Sequence, residues 1–275
     1  MGLPADGHPV RVAAVSLAEG FIQDGYVRIK GAFPQEVAHA CRDALWAQIA
    51  CSPTEPGTWT TPVIRLGYQE GSPFEQAVNT PVLHAAFDSL VGVDRWLPRT
   101  DLGTFVVRFP SNLPSGDDGW HIDASFPPAD PDQREDPFQW RVNVNSRGRA
   151  LLMLFLFTDV TEADAPTRLR VGSHTDVARI LAPHGDPGLT VLAASEAAAS
   201  GTADHPVACA TGNTGDVYLC HPFLLHAAQA HHGTAPRILA QPPLHPRGWI
   251  NTSFDPVAGT SPLELAIKVA LRTTA

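Results

Sequence analysis

Cysteine is scarce in this chain: Cys41, Cys51, Cys209 and Cys220 are the four, and none forms a CxxC pair. That excludes a cysteine-rich zinc site and a disulfide framework, suits a reducing compartment, and leaves the four as small buried hydrophobes. No apolar run reaches the roughly 18 residues of a membrane span, and no basic stretch precedes a hydrophobic one near the N-terminus. Gly2 follows Met1, but the sixth residue is Asp6 where a myristoylation signal needs Ser or Thr. The expectation is a cytoplasmic protein with no membrane partner. Basic residues are in the minority and scattered, 19 against 28 acidic, for a formal net charge of -9. The electrostatic footprint of a nucleic-acid binder is therefore missing.

A chain of 275 residues with 44% hydrophobic content can bury one sizeable core, so the expectation is one domain over 1–275. From Pro34, "PQEVAHACRDALWAQIA" places apolar residues at helical spacing, and "GYVRIKGAF" before it alternates like a strand. A further helix is expected from Pro81 to Gly92, and another from Ser261, with Ser261 as N-cap and Pro262 in the first turn. That last helix is expected to pack on a sheet. After about residue 100, "TFVVRFP", "ALLMLFLFTDV", "DVYLCHPFLLHAA" and "PRILAQPPLH" are β-rich runs separated by turn residues. The fold class is thus mainly β with flanking helices, a sandwich or barrel. Segments near 127–149 and 183–206, rich in Pro, Asp, Ala and Gly, read as lid-like insertions.

"GWHIDASF" poses the chemical question. On a strand, His121 and Asp123 share a face while Ile122, like Trp120, turns the other way into the core. An imidazole beside a carboxylate suits a divalent metal, and equally an ordinary hydrogen-bonded pair, so a third ligand decides. If "GDVYLCHPFLLHAAQAHHGTAPRILAQPP" is a hairpin turning at His231 and His232, facing indices sum to about 463 and His226 faces Arg237. Those two turn histidines are then solvent-exposed. His221, the competing ligand, would face Pro242 and point the other way, although Pro222 can disturb the alternation. His121, Asp123 and His226 would form the two-histidine, one-carboxylate arrangement of non-haem Fe(II) oxygenases. An adjacent Arg237 suits 2-oxoglutarate, whose distal carboxylate fits the planar guanidinium fork.

Through "DGYVRIKGAF", "WHID", "FTDVTEADAPTRLRVGSH" and "GDVYLCHPFLLHAA" to Arg237, most of the chain resembles the phytanoyl-CoA dioxygenase-like branch of the iron and 2-oxoglutarate-dependent oxygenases. The resemblance implies a double-stranded β-helix, the cupin-like jelly roll, with metal between two sheets and helices buttressing one of them. It places the distal histidine second in an HPxxxH run and the cosubstrate arginine eleven residues on, at His226 and Arg237. Departures occur at Asp164-Ala165, where the family usually has Asn-Gly, and at Val171, where it has Pro. These blur the subfamily and leave the ligands intact.

Relatives place cosubstrate contacts on the strand that here carries Thr104 and Arg108, although Arg108 would serve equally as a surface charge. Trp140, Arg141 and Asn143 in "WRVNVNSRG" are candidate substrate contacts, against the alternative of a solvated edge strand. Gly172 to His174 reads as a structural turn. The expected function is dioxygenation of a small molecule, as in secondary metabolism, with Fe(II), 2-oxoglutarate and O2, hydroxylation being the expected outcome. Asp123 counts against a halogenase, while desaturation, epimerisation and cyclisation stay open. The rivals are a non-catalytic binding protein on the same fold and a zinc hydrolase. Substrate identity and oligomeric state are not readable.

Overall fold

The computed structural model describes residues 16–272, and the N-terminal signal readings at Gly2 and Asp6 fall outside them. The chain runs α1 (Leu17–Asp24), β1 (Tyr26–Ile29), α2 (Gln35–Trp46), β2 (Val63–Glu70), α3 (Phe74–Val78), α4 (Pro81–Val91) and β3 (Asp101–Arg108). It continues β4 (Arg141–Val142), β5 (Leu151–Leu156), β6 (Arg168–Arg170), α5 (Ser173–Leu181), β7 (Leu189–Thr190), α6 (Val191–Gly201) and β8 (Val207–Cys209). The last elements are β9 (Val217–Cys220), β10 (His226–Ala227), β11 (Arg237–Ala240), β12 (Pro243–Leu244) and α7 (Pro262–Arg272). No described helix is long and apolar enough to cross a membrane.

The major sheet has seven strands in the order β1-β9-β5-β11-β3-β2, with β12 also on β5, and every pairing in it is antiparallel. A smaller sheet, β10-β6-β8, lies opposite. The result is the jelly roll flanked by helices. The central strands β5, β9 and β11 are buried on both faces, which explains the unbroken apolar run of β5. Leu151, Met153 and Phe155 join Val217, Leu219, Ile238 and Phe105 in a core shared with α1 to α4. Leu152, Leu154 and Leu156 face the other way and meet Tyr218, Leu224, Leu239 and Leu169 between the sheets. By the same two-residue period Arg237 shares the face of Leu239, so it enters the intersheet space.

Five sequence expectations are revised here. The hairpin register does not form: Arg237 pairs with Arg108 of β3, while His226 pairs with Leu169 of β6. The chain crosses from one sheet to the other between β10 and β11, a step no periodicity reveals. His231 is buried at 4% exposure, because the crossing loop turns inward, its backbone carbonyl accepting from Ser111 N–H. Helix α7 starts with the expected N-cap Ser261, and Glu264 completes a capping box, Glu264 N–H donating to Ser261 Oγ and Ser261 N–H to Glu264 Oε2. However, its Ile267 and Ala270 pack against α5 residues Val177, Ala178 and Leu181, where apolar helix surface is available. The segment read as an insertion at 183–206 contains the eleven-residue α6, whose Thr190 N-cap accepts from Ala193 N–H. Gly172, at φ 78°, caps α5, so Ser173 and His174 begin a helix in place of a free turn.

Candidate metal centre

The segment carrying His121 is not a regular strand. It touches the smaller sheet through one antiparallel bridge, His121 N–H to His226 C=O and His226 N–H to His121 C=O, both 2.9 Å. A strand would have to continue through Asp123, but the backbone departs after the bridge to begin the long connection toward β4. The bridge alone sets the two imidazoles side by side, with ring centroids 4.4 Å apart. Asp123 still reaches them. One donor atom from each of His121, Asp123 and His226 lies within 4.8 Å of the others.

Each imidazole is held in the tautomer a metal needs. His121 Nδ1 donates to Gly119 C=O at 2.8 Å, and His226 Nδ1 donates to Leu224 C=O at 3.0 Å. Both Nε2 lone pairs are thereby left for the centre. Burial first, then the adjacent His121, pushes the His226 imidazole down to about 4, so it is neutral at neutral pH. Desolvation works to raise the Asp123 carboxyl, yet Arg149 and the two imidazoles outweigh it and hold it below the usual value. Arg149 Nη1 donates to Asp123 Oδ2 at 2.8 Å, while Oδ1 faces His226 Nε2 at 3.9 Å, too long for a hydrogen bond. Two imidazoles with Nε2 free and an oriented carboxylate, none hydrogen-bonded to the others, fit a divalent ion.

A polar cavity of about 170 Å³ adjoins the cluster, lined by His121 and His226 together with Arg108, Asp117, Thr167 and Arg237. His226 and Arg237 thus converge, but from opposite sheets and not as hairpin partners. Arg237 is 3% exposed, and among the described residues its guanidinium has no hydrogen-bond or ion-pair partner. Burial, then the charge of Arg108, lowers it to about 9. Arg108 donates to Asp117 Oδ2 at 2.6 Å, and Arg65 pairs with the same carboxylate. Asp117, already held by Arg108 and Arg65, is the one opposite charge that acts on Arg237, and it does so without contact, so this buried cation has no carboxylate of its own, which is costly unless an anion enters.

Among the candidates, His121, Asp123, His226, Arg237 and Arg108 are brought together. Thr104 shares the strand of Arg108 but is exposed and does not line the cavity. His221 lies apart, fully buried against Phe21, His174 and Phe223. The structure does not bring Trp140, Arg141 or Asn143 to the cluster, since β4 is two residues long and each side chain is used locally. Trp140 donates to Arg134 C=O, Arg141 to Pro187 and Gly188 C=O, and buried Asn143 to Asp186 C=O. Two site residues were not anticipated. Asp117 stands four residues before His121 in "GDDGW", and Arg149 closes the long connection. Neither shows periodicity, and the Arg149 contact spans 26 residues of sequence.

The chain belongs to the phytanoyl-CoA dioxygenase (PhyH) family, which it matches over residues 21–239. Among solved structures it is similar to SnoN, described as a non-heme alpha ketoglutarate dependent epimerase from nogalamycin biosynthesis. The identity is 17% over 83% of this chain and 80% of that one, with a TM-score of 0.52. A second SnoN structure, in complex with Fe3+, alpha ketoglutarate and nogalamycin RO, matches at 18% identity, 84% and 82% coverage and a TM-score of 0.53. A hypothetical protein from Escherichia coli matches at 14% identity over 83% of this chain and 67% of that one, with a TM-score of 0.56. No curated protein matches the chain. The structural likenesses agree on the fold, and family membership makes the chain an oxygenase-type enzyme.

Proposed function

We propose that the protein is an Fe(II)- and 2-oxoglutarate-dependent dioxygenase that hydroxylates a small molecule. The observation that carries this reading is the juxtaposition of the His121, Asp123 and His226 donor cluster with buried Arg237, which has no hydrogen-bond or ion-pair partner among the described residues, across one small cavity. His121 and His226 would hold the metal through Nε2, and Asp123 through Oδ1. The bound iron would supply activation of O2 coupled to oxidative decarboxylation of 2-oxoglutarate, so that substrate C–H, 2-oxoglutarate and O2 give C–OH, succinate and CO2. The residues of this chain do the rest. Arg237 takes the distal carboxylate and thereby fixes the keto-acid end at the ligands, Arg108 adds charge beside it, and the apolar intersheet core keeps water out. A zinc hydrolase would leave the buried arginine pair without a role. A non-catalytic binding protein would have no reason to hold both imidazole tautomers.

The test is iron-dependent release of succinate from 2-oxoglutarate under O2, followed by product analysis across a small-molecule panel. Succinate formation that disappears in Asp123→Ala and on chelation is expected, with a product heavier than its substrate by one oxygen. A product of unchanged mass and altered stereochemistry would replace hydroxylation with the reaction for which SnoN is described. No succinate from the iron-loaded protein with any substrate would remove the oxygenase reading. Residues 127–149 are proposed to cover the substrate entrance, and they should resist limited proteolysis only when cosubstrate and substrate are both bound.

A further inference from the structure

His121 lines two cavities of opposite chemistry. One is the basic pocket of Arg108 and Arg237. The other, about 470 Å³, has His121 and Asp123 in its lining and Trp120, Phe138, Val191 and Leu192 among its walls. We propose that this second cavity is the substrate site and that its occupant is a hydrophobic small molecule carrying no negative charge. The proposal rests on the iron and 2-oxoglutarate reading above, because the anionic cosubstrate takes the basic side and leaves the apolar side for the molecule that reacts.

The volume lies within the several hundred Å³ typical of small-molecule sites. One wall is α6, where Leu192, Ser195 and Ala199 fall on a single helical face. That wall is fastened to the metal-ligand segment, since Ile122 N–H donates to Ser195 Oγ at 3.2 Å in a buried contact. A molecule lying along α6 is therefore held at a set distance from His121 and Asp123. Phe138 and Leu192 remain 64% and 52% exposed on the cavity lining. Single exposed hydrophobics are ordinary, but two bordering one cavity at a reactive centre provide apolar area that a ligand would cover.

Charge excludes the alternatives. No Lys or Arg lines this cavity, and Glu196 is exposed at its edge, without a partner among the described residues. Arg149, the nearest cation to Asp123, is already engaged by that carboxylate and by Ala124 C=O. A carboxylate or phosphate entering here meets Glu196 and finds no free cation, since Arg168 and Arg170, stacked on Trp120, already donate to the carbonyls of Asp118, Ala228 and Ala199 and to Thr202. A larger cavity of about 640 Å³ does carry Arg134, Arg141 and Arg147, but none of the three metal-cluster residues lines it. Its Arg141 and Arg147 are also occupied by the carbonyls of Pro187, Gly188 and Ile250. An anion bound there would not present an atom to the metal. On this basis a coenzyme A thioester, with its phosphates, does not match the reactive cavity.

Two fluorescent probes with the same aromatic body separate the possibilities: uncharged N-phenyl-1-naphthylamine and its sulfonated analogue 1-anilinonaphthalene-8-sulfonate. They are titrated without oxygen into the full chain loaded with iron and 2-oxoglutarate. The neutral probe is expected to bind at least tenfold more tightly. Leu192→Asp should weaken it at least tenfold, Phe138→Ala severalfold, and Glu196→Gln should improve the sulfonate alone. All three positions are exposed, so the variants should keep their fold and their 2-oxoglutarate affinity, which is measured alongside. Equal or tighter binding of the sulfonate, or neutral-probe binding indifferent to Leu192→Asp, would overturn the proposal. Failure of the oxygenase reading would show separately, as probe binding without any iron or 2-oxoglutarate binding.

Discussion

Arg149 occupies Asp123 Oδ2 and the carbonyl of Ala124, so the carboxylate is left with one oxygen, Oδ1, for a metal. Groups that orient ligands from behind typically matter about 10–100-fold in metal affinity. Arg149→Ala should therefore raise the dissociation constant for Fe(II) by about that factor, with Arg149→Lys recovering only part, because an ammonium keeps the charge but loses the fork. Fe(II) titration of the folded variants decides it, and unchanged affinity would leave Arg149 a packing residue. Arg237→Lys should instead spare iron and weaken 2-oxoglutarate on the order of tenfold to a hundredfold, the loss of a charge-assisted pair. An isothermal titration with 2-oxoglutarate reads this directly. At this scale His121, Asp123, His226 and Arg237 were legible because metal and anion chemistry restrict residue type. Arg149 and Asp117 were not, since arginines and aspartates are common on surfaces and only the fold shows which ones are enclosed. The route by which Arg237 was paired with His226 was also mistaken. The two meet across a cavity, and the facing residue of Arg237 is Arg108.

Elements were readable where one local rule governed them. Helices α2, α4 and α7 followed apolar spacing and caps, and β5 followed its run of large aliphatic residues. Helix α1, strand β2 and helix α6 were missed. Helix α6 lies in an alanine- and glycine-rich stretch that resembles a loop until α5 and the Ile122 segment supply a surface for it. The burial of β5 on both faces gives a stability prediction. Phe155 is fully buried, so Phe155→Ala should cost about 3–5 kcal/mol in urea unfolding, by transfer plus cavity terms. A loss below 1 kcal/mol would mean that this core collapses around the gap. Helix α7 gives a pH prediction. Burial acts to raise the Glu264 carboxyl, but Arg95, at 2.7 and 2.8 Å, together with Ser261 and Asp255 N–H, holds it down to about 2 from 4.5. A depressed carboxyl contributes stability above its unfolded value that disappears as pH falls through the folded one. The wild type should thus lose on the order of 2 kcal/mol more than Glu264→Gln between about pH 4.5 and pH 2. Parallel pH slopes would remove the ion pair from the stability of α7.

The whole molecule places its chemistry where two sheets of unequal size face each other. The major sheet, backed by α1 to α4, contributes Arg108 and Arg237, while the smaller sheet contributes His226 and, through one bridge, His121. Neither sheet alone contains both the proposed metal donors and the proposed anion site, so the proposed function depends on the intersheet core of Leu154, Leu169, Tyr218 and Leu239 that fixes their spacing. A sequence periodicity reports which face a residue takes within its strand. It does not report which sheet the strand joins, and for that reason the overall class was legible while the crossing from β10 to β11 was not. The central claim is that one metal ion and one 2-oxoglutarate meet at His121, Asp123, His226 and Arg237. It is tested most directly by titrating Fe(II) into the full chain with 2-oxoglutarate in the absence of O2, and following the visible charge-transfer absorption of an iron-chelated keto acid. The account predicts a band that saturates at one iron per chain, is absent in His226→Ala, persists in His221→Gln, and needs more 2-oxoglutarate in Arg237→Lys. A wild-type protein that binds iron without developing the band, or a band that survives in His226→Ala, would contradict it.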